Sequence, residues 1–244
     1  MAIRDWIGEL AELLLPSACA GCRAAVPAAT ALCGPCDRSL QRIPPGRCSL
    51  CQSAPAARRQ PRCTGCAASR GALSACIAAV WFEGAVPDVV HRFKYPRSGL
   101  AGLDAAATAM LRALVCEAGR RAPGATPDLV VPVPLHPRRL RARGFNPALE
   151  LARALARSRR TRLDPTALRR VRDTPSQTGL NRRARRRNVR SAFASRPGWR
   201  APARVWLVDD VVTTASTLVA AARTLRRAGA RQVVAVCAAR TPRP

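Results

Sequence analysis

Long apolar runs are missing from this 244-residue sequence. None approaches the ~18–20 residues that a membrane span requires, so no membrane insertion is expected. Aromatic residues are scarce at 4%, which weighs against a protein that grips nucleic acid mainly by base stacking. Trp199, Phe193 and Tyr95 are the plausible platforms near the basic part of the chain. Acids are outnumbered, 14 against 42 basic residues, for a formal charge of +28. Lysine is almost absent: Lys94 stands alone and the other 41 basic residues are arginine. That skew, with the abundant alanine, reads as compositional bias, so part of the charge carries no functional message. Its distribution does. Residues 137–200 hold 20 arginines against Glu150, Asp164 and Asp173, which is +17 of the +28. A field of that sign favours phosphate esters or nucleic acid.

What is present bounds the class further. A hydrophobic content of 48% supports a buried core and excludes global disorder. Asp5, Glu9 and Glu12 interrupt the apolar stretch that a secretory leader would need. Ile3, Trp6, Ile7, Leu10, Leu13 and Leu14 fall instead at helical spacing, which predicts an amphipathic helix over residues 1–16 and a cytoplasmic location.

Eight of the eleven cysteines form four Cys-x-x-Cys pairs: Cys19/Cys22, Cys33/Cys36, Cys48/Cys51 and Cys63/Cys66. Thiolate pairs at this spacing hold one side of a tetrahedral zinc, and four pairs at near-constant intervals predict two structural zinc ions over residues 17–70. Spacing alone does not fix which pairs share an ion. Sequential pairing closes shorter loops and is favoured, while a cross-brace is geometrically possible. Large apolar residues are few here (Leu32, Leu40, Ile43, Leu50), so metal supplies most of the folding free energy. Acid or a chelator is then expected to unfold residues 17–67 while much of the body survives. Cys76, Cys116 and Cys237 sit in apolar contexts and read as small buried hydrophobes.

From residue 75 the pattern alternates. Cys76–Phe82, Leu129–Pro134, Val205–Val208 and Gln232–Cys237 read as strands; Val86–Phe93, Leu103–Glu117, Pro147–Arg157 and Ala215–Arg227 read as helices. Residues 169–190 lack an apolar period and read as a long basic loop. Strands alternating with helices indicate an α/β parallel sheet over residues 75–244, with ligands at the strand carboxyl ends. The most telling stretch is Val205–Thr217 (VWLVDDVVTTAST). Two carboxylates, Asp209 and Asp210, emerge at the end of a buried strand, and a turn of small hydroxyl residues opens a helix. Such a turn cradles phosphate, and the acids can accept hydrogen bonds from vicinal ribose hydroxyls.

This stretch resembles the phosphoribosyl pyrophosphate (PRPP) signature of type I phosphoribosyltransferases. The resemblance implies that Asp209 and Asp210 hold the ribose and that Thr213, Thr214, Ala215, Ser216 and Thr217 cradle its 5′-phosphate. Glycine usually stands where this chain has Ala215. A second resemblance is to the ComF/ComFC competence family, carried by Phe93–Tyr95 (FKY), Val131–Asn146 (VPVPLHPRRLRARGFN) and Thr174–Phe193 (TPSQTGLNRRARRRNVRSAF). It covers nearly the whole chain and implies a double zinc ribbon joined to a phosphoribosyltransferase domain. The family usually continues RGFN with glutamine, and here Pro147 follows.

Type I enzymes have a pyrophosphate loop at a strand end equivalent to that before Leu135. Leu135 and His136 are its best candidates, with Arg138 and Arg139 as charge partners; a solvated basic turn is the plainer reading. The basic loop matches in position the loop that closes over PRPP, where Gln177 would bond substrate. There Arg182, Arg183, Arg185, Arg186 and Arg187 would stabilise leaving pyrophosphate or grip a polyanion such as single-stranded DNA. His91 reads as structural. Three functions are expected to compete. The first is a transferase using PRPP with Mg²⁺ on an unknown acceptor; the second is a protein linked to DNA uptake and its machinery. The third is a sensor that binds a phosphoribosyl ligand without turnover.

Overall fold

Runs of small and β-branched apolar residues become strands buried on both faces, as expected of a parallel sheet covered by helices. The computed structural model describes residues 17–27, 30–57, 60–67, 71–96, 104–172 and 192–242. The helix expected over 1–16, Gln177, and Arg182, Arg183, Arg185, Arg186 and Arg187 lie outside the described residues. No helix among the described residues is long and apolar enough to cross a membrane.

The cysteine-rich part contributes β1 (Ser17–Ala18), β2 (Ala25–Val26), α1 (Gly34–Arg38) and α2 (Thr64–Ala67). The body follows with β3 (Ala75–Trp81), α3 (Val86–Lys94), α4 (Ala105–Arg120), β4 (Leu129–Pro132), α5 (Pro137–Arg143) and α6 (Pro147–Ser158). It continues through β5 (Arg162–Leu163), β6 (Leu168–Arg170), β7 (Phe193–Ser195), β8 (Arg204–Val212), α7 (Ser216–Arg227) and β9 (Gln232–Arg240). Five strands form a parallel sheet in the order β3-β9-β8-β4-β5. The α/β class expected from the alternating pattern is the class observed. Alternation along β8 and β9 supplies two cores: Trp206, Val208, Val234 and Val236 face α3, α4 and α6, while Val205, Leu207, Val233 and Ala235 face α7.

Residues 169–190 differ from the expected loop at their start. Leu168–Arg170 is a strand, and β6 pairs antiparallel with β7. The pairing is non-local, so no local period announced it.

The cysteine-rich part is not a bead on a tether. Its residues 41–52 run along the outer edge of β3: Trp81 N–H donates to Gln41 O at 2.8 Å, Ile43 N–H to Ala79 O at 2.9 Å, and Cys76 N–H to Ser49 O at 2.7 Å. The Gln52 side-chain amide brackets Ala78, donating to its O at 3.0 Å and accepting from its N at 2.9 Å. An edge that would otherwise offer unpaired backbone groups is thereby covered. Cys19, Ala20, Val26 and Leu32 are buried in the same core as Val89 and Phe93 of α3. Gly84 lets the units approach. Its φ is +59°, and a Cβ there would lie 2.3 Å from Ser39 O.

Candidate functional site

The chain leaves β4 in one direction along the sheet, toward β5, and leaves β8 in the other, toward β9. Such a switch point opens a crevice at the strand carboxyl ends. β4 stops at Pro132, opposite Val208, and a last backbone bond runs from Val133 N–H to Val208 O at 2.9 Å. β8 does not stop. It continues along β9 to Val212, so Asp209 and Asp210 lie inside the strand rather than after it, as the apolar run alone suggested. Their edge toward β4 has lost its partner, and a cleft of about 500 Å³ opens there.

Successive side chains of a strand point to opposite faces. Asp210 turns toward α3, where it is buried and its Oδ2 lies 2.8 Å from Lys94 Nζ. Its Oδ1 accepts the Val211 N–H at 2.6 Å. Asp209 turns the other way and its Oδ1 accepts the Asp210 N–H at 3.0 Å. Burial, and next the Asp210 charge, push the Asp209 carboxyl up to about 7, against the pull of Lys94 and Arg170.

Past β8, Thr213 and Thr217 line the cleft. Ala215 precedes α7 in the left-handed region (φ 57°, ψ 8°) and gives the helix no side-chain cap. That conformation is where glycine is at ease and a Cβ is strained, which accounts for the glycine common at this position in the resembling proteins. Ser216 is buried, with its Oγ 3.0 Å from Thr214 Oγ1.

The second block divides. Leu135 and Arg139 line the cleft. His136 is the N-cap of α5, its Nδ1 accepting from Arg138 N–H at 3.3 Å, and neither His136 nor Arg138 is part of the cleft wall. Sequence reasoning passed over Lys94, Arg143, Asn146 and Arg170 as cleft residues, although FKY and RGFN contain three of them. The two motifs interlock. Phe93 meets Phe145 edge to face at 5.9 Å, and Arg143 lies 4.8 Å over the Tyr95 ring while donating to its Oη at 2.8 Å. Asn146 caps α6 and also donates to Val133 O at 3.1 Å, tying the helix to the strand end. Pro147 then takes the first turn of α6, where a missing N–H costs nothing. His91 is exposed, and its ring packs 5.2 Å from that of Tyr95.

The cysteines form two sets, Cys19/Cys22/Cys33/Cys36 and Cys48/Cys51/Cys63/Cys66, each with its sulphurs within 4.8 Å of one another. The pairing is sequential, not cross-braced. Zn–S bonds of ~2.3 Å in a tetrahedron put sulphurs ~3.8 Å apart. The Cys22–Cys33 and Cys51–Cys63 separations are 3.6 and 3.8 Å. Both sets fit zinc. Burial raises the Cys19 thiol, but backbone N–H groups of Cys33, Cys22 and Gly21 outweigh it and lower Cys19 to about 6. Cys48 is likewise lowered to about 6, burial being outweighed by N–H groups of Cys51, Cys63 and Leu50. Burial and neighbouring sulphurs push Cys36 and Cys66 up to about 12. Four thiols this close ionise together only around a cation. Cys76 and Cys237 are buried in the sheet, and Cys116 is half-buried.

No protein-family model matches the sequence. The chain is 33% identical over 237 residues to the DNA utilization protein YhgH of Salmonella typhimurium, covering 94% of this chain and 99% of that one. It is also 33% identical over 147 residues to Competence protein F of Haemophilus influenzae, covering 59% of this chain and 63% of that one. The chain belongs to the ComF family. Its match to the YhgH protein of Escherichia coli K12 is 37% over 156 residues, and spans 63% of this chain and 66% of the relative. In this ComF-family chain the FKY and RGFN motifs are thus one packed unit, which forms a wall of the cleft and touches the acid pair through Lys94.

Proposed function

We propose that the cleft between β4 and β8 binds a phosphoribosyl ligand of the PRPP class. The observation carrying this reading is convergence: an adjacent acid pair, a helix start without a side-chain cap, and guanidinium groups of Arg139, Arg143 and Arg170 meet at one switch point. Asp209 and Asp210 accept from vicinal ribose hydroxyls, the Thr213–Thr217 turn receives the 5′-phosphate, and Leu135 and Arg139 border the pyrophosphate. A transferase and a non-catalytic sensor share this donor site and differ only in turnover. Thermal shift with PRPP tests the reading, because a ligand that binds only the folded state raises Tm. PRPP is expected to raise Tm of the parent and not of the Asp209→Asn/Asp210→Asn variant. An equal shift in both overturns the assignment. Pyrophosphate release with candidate acceptors then separates transferase from sensor.

A second reading concerns DNA. The relatives' names speak of DNA utilization and competence, and a role of this chain beside DNA uptake follows by family. A specific feature favours direct contact. A groove of about 510 Å³ runs between β7, α7 and the loop at 198–200, and holds Trp199, Arg200 and Arg227. No carboxylate among the described residues pairs with either arginine. An indole flanked by cations suits a stacked base and its phosphates. Arg182, Arg183, Arg185, Arg186 and Arg187 extend the same proposal. Single-stranded DNA affinity should fall with salt by roughly −0.7 in log–log slope per neutralised phosphate. Trp199→Ala should weaken binding without changing that slope, and glutamine at the five arginines should flatten it. No binding at low salt ends this reading.

A further inference from the structure

The single lysine of this arginine-rich chain lies in the cleft. Lys94 ends α3, and its side chain is a quarter exposed, while that of its partner Asp210 is 9% exposed. In a chain that otherwise uses arginine for every positive charge, a lysine at this place has a distinct physical meaning. A guanidinium is a broad planar fork, whereas an ammonium is a compact point charge with three donors. At 2.8 Å from one carboxylate oxygen, with two donors that no other carboxylate among the described residues takes up, it stands where a small cation bound to that oxygen would stand.

The magnesium expected with PRPP fits this site poorly. Mg²⁺ takes oxygen ligands at ~2.0–2.1 Å and demands near-octahedral geometry. Asp210 Oδ2 already accepts the ammonium, Asp210 Oδ1 accepts the Val211 N–H at 2.6 Å, and Asp209 Oδ1 accepts the Asp210 N–H at 3.0 Å. Three of the four carboxylate oxygens are therefore engaged by donors built into the protein. A divalent ion on Asp210 Oδ2 would have to displace the ammonium or sit against it, and like charges that close repel strongly in a partly buried cleft.

We propose that Lys94 is the built-in cation of this cleft, so that a pyrophosphate-bearing ligand binds against its ammonium with no requirement for a divalent ion. The proposal deepens the phosphoribosyl reading and rests on it for the ligand. Lys94 holds Asp210 in place through one N–H and directs the other two at ligand oxygens, which supplies charge neutralisation that would otherwise arrive with the metal.

The test uses the full chain with its zinc retained, in buffer freed of divalent ions by resin before protein is added, since a soluble chelator would strip the cysteine clusters. PRPP and inorganic pyrophosphate are titrated with and without Mg²⁺, and Tm is read. The parent should bind PRPP equally in both buffers. Lys94→Gln should bind at least about tenfold more weakly without Mg²⁺, the scale of one lost charge-assisted hydrogen bond, and recover when Mg²⁺ is added. Lys94→Arg should not restore Mg²⁺-free binding. Mg²⁺ alone should raise Tm of Lys94→Gln, where Asp210 is uncovered, and leave the parent unmoved. PRPP binding to the parent only with Mg²⁺ overturns the proposal, as does Mg²⁺-free binding by Lys94→Gln at parental strength. If neither PRPP nor pyrophosphate shifts the parent, the phosphoribosyl reading falls, and the arm with Mg²⁺ alone still decides whether Lys94 holds the cation position. A readout independent of variant folding comes from amine acylation followed by mass spectrometry. Lys94 carries the only side-chain amine, so Mg²⁺-free PRPP should slow its acylation about tenfold or more, and unchanged reactivity counts against the proposal.

Discussion

The two cysteine clusters have the same ligands at nearly the same spacing, yet they join the body in different ways. The first leans on a helix: Cys19 and Ala20 pack into the α3 core, Arg92 Nη1 donates to Ala20 O at 2.9 Å, and Cys22 stays exposed. The second is sewn to the sheet. Cys48 and Cys51 are buried, Ser49 O pairs with β3, and Gln52 brackets Ala78. Behind Gln52 lies Arg240, only 1% exposed, which donates to Gln52 Oε1 at 3.1 Å, Leu50 O at 3.3 Å and Cys76 O at 2.8 Å. One guanidinium thus joins a turn of the second cysteine cluster, the edge strand and the end of β9. The same four-cysteine arrangement, fit for zinc, serves as a prop in one place and as part of the sheet in the other.

The largest effect that would break this comparison is zinc removal. Structural zinc contributes an apparent ~10–16 kcal/mol, more than a domain's usual net stability. The poor apolar content of residues 17–67 suggested that this part would melt alone; the shared core and covered edge lead to a single cooperative loss of both parts, read by calorimetry before and after chelation. Cys51→Ser should be more damaging than Cys22→Ser by the same measurement. Next, Arg240→Met should cost about 2–4 kcal/mol in urea unfolding, because buried acceptors lose a charged donor. A cost near zero would mean that the second cluster is no more deeply attached than the first.

Two smaller effects compare the clusters, which need their surroundings, with the cleft, which is strained by its own. The Asp209 carboxyl is raised to about 7, so its contribution is fullest at pH below the ordinary 3.8 and is lost as pH climbs through 7. Asp209→Asn has no charge to bury. It should stabilise the ligand-free protein by roughly 1 kcal/mol more at pH 8 than at pH 6, where zinc is still held. A gain independent of pH would place the strain elsewhere. Ala215→Gly should add about 0.5–1 kcal/mol by relieving the positive φ, seen as a small rise in Tm.

What could be read from the chain was local. The cysteine pairs repeat within 50 residues, the strands announce themselves as apolar runs, and the acid pair adjoins its turn of small hydroxyl residues. What could not be read joins distant positions. Lys94 meets Asp210 across 116 residues of chain, Arg143 meets Tyr95, and β6 finds β7. The length of β8 is not legible in the sequence because its last residues are held by β9 rather than by their own apolar character. The lone lysine was in plain view as a compositional oddity, and its meaning appears only beside the carboxylate it faces.

The covered outer edge of β3 also bears on how the chain is made. β3 ends at Trp81, and its inner neighbour β9 begins at Gln232, so about 150 residues must be added before the two can pair. At ~5–20 residues per second of synthesis, that is a wait of roughly eight to thirty seconds. Residues 41–52 leave the ribosome before β3 does. A metal-closed knuckle can therefore shield one side of the strand during that interval, which leaves only the inner side open to a wrong neighbour until the last strand arrives.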